Sequence, residues 1–196
     1  MNLGLTNKRV LVTGASRGIG SAIAYRFLRE GAKVCIVSRG SKSFYQTKSS
    51  FIEEFGEDKV IANQCDCTDP ESLVVLSNYI KKNWGEVDIV VANIGDGHSV
   101  SDPLPDNNQW KKIWDNNFES ALHTARTFLP MLRGSKGCLL FISSITAIEA
   151  FGAPNASIAV IDDINSKHPF EPLNIGRNVR AVCNADSKLL SQIFFH

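Results

Sequence analysis

The chain has 196 residues, 43% of them hydrophobic, which fits one globular domain over 1–196 and excludes a largely disordered chain. Its 21 basic and 20 acidic residues leave a formal charge of +1, so bulk electrostatics give no case for nucleic acid or an anionic membrane as partner. No apolar run approaches the roughly 18 residues that cross a bilayer. Residues 1–12 lack the charged-then-apolar layout of a secretory signal, so a cytoplasmic location is expected.

In chain order, short unbroken apolar runs at 9–13, 33–37, 60–62, 89–92, 138–142 and 179–183 alternate with stretches of helical period. Unbroken runs of this length suit strands covered on both faces. Between the first two, Ile19, Ile23 and Phe27 recur every four residues with Ala24 and Leu28 beside them, and Gly31 supplies a stop. Asp69, Pro70 and Glu71 form a good helix start, Leu73, Leu76, Ile80 and Trp84 make the apolar stripe, and Gly85 ends it. Trp110, Trp114, Asn117 and Ala121 are expected on one face of another helix, which Pro130 should end or kink. Strands alternating with helices predict a parallel sheet. Right-handed crossovers then give a Rossmann-type, doubly wound α/β fold with helices on both faces and a ligand crevice at the carboxyl ends of the strands. Five cysteines (Cys35, Cys65, Cys67, Cys138, Cys183) fall mostly in apolar runs and are expected as free thiols. Cys65 and Cys67 form a C-x-C pair, but no second Cys/His pair stands at metal-ligand spacing, so no metal site is expected.

Directly after the first strand comes Thr13-Gly14-Ala15-Ser16-Arg17-Gly18-Ile19-Gly20, from which the first helix opens. Glycines there permit a tight turn, close approach of a pyrophosphate to backbone N–H groups, and close helix–strand packing. The helix N-terminus favours the anion. With its strand-then-helix context, the TGxxxGxG spacing resembles the short-chain dehydrogenase/reductase family, and further signatures follow in the right order from about Lys8 to Ala153. The resemblance implies that Gly14, Ser16, Arg17, Gly18, Ile19 and Gly20 bind the cofactor. Cys65-Asp66-Cys67-Thr68-Asp69 resembles the family's D-x-T-D, which puts Asp66 at the adenine ring and Cys67 among the cofactor-binding residues. Residues 88–95 resemble D-x-x-x-N-N-A-G, with Ala92 and Ile94 as departures and Asn93 and Gly95 kept. Asn117 matches the helix-four Asn that shapes a proton relay. In Ile142-Ser143-Ser144, which resembles I-S-S, the second serine would hold a substrate carbonyl or hydroxyl, so Ser144 is the candidate.

After the second strand, an NAD enzyme places a carboxylate for the ribose 2′-OH. Here Ser38 holds that position, Arg39 follows, and Arg17 sits in the glycine turn. Two guanidinium groups could clamp a 2′-phosphate, which favours NADP(H) over NAD(H).

The family's chemistry needs a Tyr to move a proton and a Lys four residues on. Counting from Ser144, these positions hold Ser157 and Ile161, and every tyrosine (Tyr25, Tyr45, Tyr79) precedes Ser144. Beyond about residue 154, Asp162-Asp163, Pro169 and Pro172 interrupt the expected helix, and Asn184-Ala185 stands where the family has Pro-Gly. The fold is therefore expected to be incomplete at its C-terminal end. By resemblance the chain is an NADP(H)-dependent oxidoreductase interconverting a small-molecule carbonyl and alcohol, impaired or inactive for want of Tyr and Lys. The alternatives are a non-catalytic NADP(H)-binding protein and a truncated or frame-shifted product. The homo-oligomer typical of the family is in doubt here, because its dimer face uses the altered helix.

Overall fold

The computed structural model describes residues 3–95 and 106–143, together with the backbone of 173–175 and 179–183. Ser144, Ser157, Ile161 and residues 96–105 lie outside the described residues. In chain order the elements are β1 (Arg9–Thr13), α1 (Gly18–Arg29), β2 (Lys33–Ser38), α2 (Lys42–Phe55), β3 (Val60–Gln64), α3 (Pro70–Trp84) and β4 (Ile89–Ala92). They continue with α4 (Asn107–Trp114), a π-helical turn (Asp115–Glu119), α5 (Ser120–Ser135), β5 (Cys138–Ile142), β6 (Leu173–Ile175) and β7 (Val179–Cys183).

The sheet order is β3-β2-β1-β4-β5-β7-β6, and the first five strands pair in parallel. The unbroken apolar runs are explained by burial on both sides. Val10 and Val12 of β1 point into one layer with Ile23, Ala24 and Phe27 of α1. Leu11, between them, points into the other with Leu73, Leu76 and Ile80 of α3 and Phe128 and Leu132 of α5. Each fully buried Leu, Ile or Phe contributes about 1.5–3 kcal/mol by leaving water, so neither face tolerates a polar residue mid-strand. After β1 the chain winds outward through β2 and β3, then crosses back to place β4 on the other side of β1. This reversal opens the crevice between the β1 and β4 carboxyl ends.

Most helix limits follow local chemistry. The Asp69 carboxylate accepts from the Glu71 and Ser72 backbone N–H groups at 3.0 and 3.2 Å, Pro70 opens α3, and Gly85 ends it at φ 78°. Three expectations need correction. The helix carrying Trp110, Trp114, Asn117 and Ala121 is not continuous, because the π turn at Asp115–Glu119 inserts a residue and rotates the helix beyond it. Pro130 does not end α5, which runs to Ser135. It lies on the exposed side, where water can serve the carbonyl one turn back. Cys138 is disulfide-bonded rather than a free thiol. It stands opposite Cys183 in the backbone register of β5 and β7, a juxtaposition that only tertiary pairing creates. β7 itself runs antiparallel to β5 and pairs with β6, so the added edge departs from an all-parallel sheet.

At the amino ends of β1 and β4, Arg9 grips Asp88. Its Nε donates to Oδ2 at 2.8 Å and its Nη2 to Oδ1 at 3.1 Å. The Arg9 backbone N–H adds a 2.8 Å bond to Oδ2, and Nη1 donates to the Trp84 carbonyl at 2.9 Å. Burial opposes ionisation of Asp88, but the bonds from Arg9 outweigh it and hold the carboxyl below its ordinary value. Because the folded pKa is depressed, the stabilisation is complete above the unfolded value, about 3.9, and is lost as pH falls through the folded one. Asp88→Asn is expected to cost about 1–3 kcal/mol at neutral pH. Urea denaturation at pH 7 and pH 3 should show the gap from wild type narrowing at the lower pH.

Candidate functional site

The crevice is a cleft of about 460 Å³ at the carboxyl ends of β1, β2, β4 and β5. Its floor is the turn from β1 into α1. Gly14 and Gly18 adopt φ values of 63° and 59°, a left-handed region that favours glycine. Gly20 is glycine for a different reason: a Cβ there would collide with the Asn93 side-chain amide and the Gly14 carbonyl. The turn is drawn under β4 by a compact set of bonds. The Asn93 backbone N–H donates to Thr13 Oγ1 at 2.9 Å, and Asn93 Nδ2 donates to the Thr13 and Gly14 carbonyls at 3.2 and 3.3 Å. Thr13 Oγ1, buried, donates in turn to the Val91 carbonyl at 3.3 Å. From the other side, the Ala15 N–H reaches the Val37 carbonyl at 3.0 Å and Thr47 Oγ1 of α2 donates to the Ser16 carbonyl at 3.0 Å.

The start of α1 is chemically distinct. Side chains of Ser41, Asp69 and Asp106 cap α2, α3 and α4. Arg17 gives α1 no side-chain cap, and its first turn holds no acidic residue. Its leading N–H groups therefore face the cleft with the positive end of the helix dipole.

Around this floor the structure gathers Gly14, Ser16, Arg17, Gly18, Ile19, Gly20, Ser38, Arg39, Asp66, Asn93 and Gly95 as lining residues. Arg17 and Arg39 are both exposed, and both line the cleft along with Ser38. Asp66 folds into a tight turn in which its Oδ1 accepts from the Thr68 N–H at 3.0 Å and Thr68 Oγ1 at 2.8 Å. Cys67 is fully buried and is absent from the lining. Asn117 is not among the lining residues but stands beside one: its Nδ2 donates to the Ile113 carbonyl at 3.0 Å, and its Oδ1 lies against Gly95. In the π turn the neighbouring, buried Asn116 also reaches the cleft.

Sequence reasoning passed over Cys65, Thr68, Ile94, Ile142 and Ser143, which also line the cleft. All neighbour the residues it singled out, and strand-end position was the available signal. Ser143 Oγ is buried without a hydrogen-bond partner among the described residues. An orphaned hydroxyl in a cleft otherwise rich in backbone donors suits a ligand that brings its own polar atoms. Glycines without room for a Cβ, an uncapped helix start and an unpaired hydroxyl together fit an extended anionic nucleotide.

The short chain dehydrogenase family model matches residues 8–157. The chain belongs to that family. It is 31% identical over 200 residues to a benzil reductase ((S)-benzoin forming) of Saccharomyces cerevisiae, covering 95% of this chain and 73% of the relative. It is likewise 31% identical to a sorbose reductase of Candida albicans, covering 91% of this chain and 66% of that protein. Among solved structures, L-sorbose reductase from Gluconobacter frateurii in complex with NADPH and L-sorbose superposes with a TM-score of 0.77. It has 27% identity over 84% of this chain and 62% of that one. The chain thus spans roughly two thirds to three quarters of the length of these curated relatives. An NAD(P)-binding Rossmann fold of the short-chain family accounts for the glycine turn, the sheet order and the cleft.

Gly20→Ala is expected to cost about 1–3 kcal/mol through overpacking. The penalty should shrink in an Asn93→Ala background, where one of the two obstructing groups is gone. A double-mutant cycle in urea should therefore return a coupling of about 0.5 kcal/mol or more.

Proposed function

We propose that this chain is a short-chain-family oxidoreductase by descent that holds NADP(H) in the β1/β4 cleft, with a small-molecule carbonyl or alcohol as its substrate class. We propose further that its own turnover is negligible. The observation that carries the cofactor reading is the charge on the cleft lining, which holds Arg17, Arg39 and, where an NAD enzyme places a carboxylate, Ser38. A carboxylate there would bond a ribose 2′-OH and repel a 2′-phosphate, whereas two guanidinium groups bind the phosphate with charge-assisted bonds. The NADPH complex of the sorbose reductase relative supports the same reading.

Each part of the site has a distinct task. The uncapped start of α1 and the glycine turn take the pyrophosphate, Arg17 and Arg39 take the 2′-phosphate, and the Asp66–Thr68 turn takes the adenine end. Asn93 and Gly95 line the path toward Ser143 and its neighbour Ser144, which would orient the substrate oxygen. A bound nicotinamide would supply the hydride; the protein must then handle a proton at that oxygen. For this step the chain has no phenol in place. Tyr25 bonds Glu54 at 2.9 Å, Tyr45 accepts from Gln64 at 2.8 Å, and Tyr79 is exposed on α3. None of the three lines the cleft. Ser157, at the family's Tyr position, is a far weaker acid on a shorter side chain, with Ile161 where Lys would stand.

A non-catalytic NADP(H)-binding protein is the second reading, favoured by the intact glycine turn beside the missing proton donor. The benzil reductase alignment covers 95% of the chain and so runs beyond residue 154. This favours a diverged tail over one read in a shifted frame.

Fluorescence titration is expected to show saturable NADPH binding, with weaker binding of NADH. Arg39→Ala should lower NADPH affinity about 10- to 100-fold, the loss of one charge-assisted contact of about 1.5–3 kcal/mol, while leaving NADH nearly unchanged. NADPH oxidation with a panel of ketones and aldehydes should stay at background. Robust turnover abolished by Ser144→Ala would contradict the inactive assignment, and equal loss of both nucleotides in Arg39→Ala would contradict the phosphate assignment.

A further inference from the structure

The turn that shapes the adenine end of the cleft is bracketed by two thiols that nothing in the proposed chemistry uses. Cys65 follows β3, anchored by a 3.0 Å bond from its N–H to the Ser38 carbonyl, and it lines the cleft. Cys67, two residues on, is fully buried beneath it in the layer shared with Leu73 and Phe128. Both are free cysteines. Between them stands Asp66, whose carboxylate closes the turn through Thr68.

We propose that Cys65 and Cys67 form an oxidisable pair, a modification site for hydroperoxides whose disulfide form deforms the Asp66 turn and releases the nucleotide. This rests on the cleft being the NADP(H) site. Three observations carry it. First, the pair is asymmetric: both side chains are buried, but Cys65 lines the cleft and Cys67 does not, so an oxidant in an empty cleft meets Cys65 first, and the adenosine end of a bound nucleotide would cover it. Second, the two side chains share one apolar layer and stand two residues apart across the turn. The neighbouring Cys67 holds the Cys65 thiol below its ordinary value despite burial and the charges of Asp66 and Asp69, whereas the Cys65 neighbour and burial push Cys67 up. The attacking thiolate therefore favours the residue that lines the cleft. Third, Cys35 lies in the same layer, but burial pushes its thiol up and it does not line the cleft, so it makes a poor competitor.

The chemistry balances with a hydroperoxide as oxidant. The Cys65 thiolate attacks a peroxide oxygen; the S–O bond forms, the O–O bond breaks, and the departing oxygen takes up the thiol proton, leaving as water from hydrogen peroxide or as an alcohol from an organic hydroperoxide. The Cys67 sulfur then attacks the sulfenic sulfur of Cys65; the S–S bond forms, the S–O bond breaks, and water leaves with the Cys67 proton. Two electrons pass from the thiols to the peroxide. Joining sulfurs two residues apart draws Cys65 and Cys67 together across Asp66, and the Asp66–Thr68 bonds must yield.

The test treats the reduced full chain with hydrogen peroxide, with and without saturating NADPH, and follows the 65–67 peptide by mass spectrometry while titrating NADPH fluorescence on the same samples. The expected result is an intramolecular Cys65–Cys67 link in the free chain, formed at least fivefold more slowly with NADPH. The linked form should bind NADPH at least tenfold more weakly, with recovery on adding dithiothreitol. In Cys67→Ser, Cys65 should stop at sulfenic acid and be trapped by dimedone. Reduced chain that binds NADPH normally yet forms no link, or linked chain that binds as well as reduced chain, overturns this inference while leaving the proposed function standing. Reduced chain that binds no NADPH overturns both.

Discussion

The architecture turns on how closely the β1–α1 turn can approach β4. Asn93 spans that gap with one backbone and two side-chain hydrogen bonds to Thr13 and Gly14, and it can do so because residue 20 has no side chain. An unpaired amide buried there would cost about 1–3 kcal/mol, so a register slip between β1 and β4 that breaks these bonds is disfavoured. The sheet order does the rest. With β4 on the far side of β1 from β2, the turn lies at the point where the winding reverses, and the uncapped end of α1 opens onto the crevice.

Binding and chemistry are separable here because they rest on different parts of the chain. The cleft is assembled from the ends of β1, β2, β3 and β4, rooted in two apolar layers that bury the central strands β1, β2 and β4 and half-cover the edge strand β3. The proton-handling residues of the family belong to the segment after β5, and there the amino acids change. On the proposed reading the cleft can hold a nucleotide with no phenol on its lining among the described residues, the three tyrosines being engaged or exposed elsewhere.

Much of this was legible in the sequence. Strands that alternate buried faces must be apolar throughout, and Arg9–Thr13 and Ile89–Ala92 read as such. The Gly14–Gly20 spacing carried enough local chemistry to mark the turn that floors the cleft, and Ser38 and Arg39 stand on its lining. What escaped depends on pairing rather than composition. No residue type marks a π turn, so nothing in the sequence showed that Asn116 would reach the cleft. Pro130 sits in a helix because its missing N–H faces solvent, a fact about orientation. The bonded state of Cys138 and the antiparallel run of β7 depend on which strand comes to lie beside β5. Cys65 and Ser143 looked like ordinary strand-end residues until the cleft placed them on its wall.

Hydrogen exchange of the full chain, with and without saturating NADPH, tests the central claim most directly. The account predicts that nucleotide slows exchange in peptides covering residues 14–21, 38–40, 65–68 and 93–95, the segments that meet at the β1/β4 crevice, and leaves the outer faces of α2 and α3 unchanged. Saturable NADPH binding with no protection in residues 14–21, or with protection centred on another surface, would contradict it.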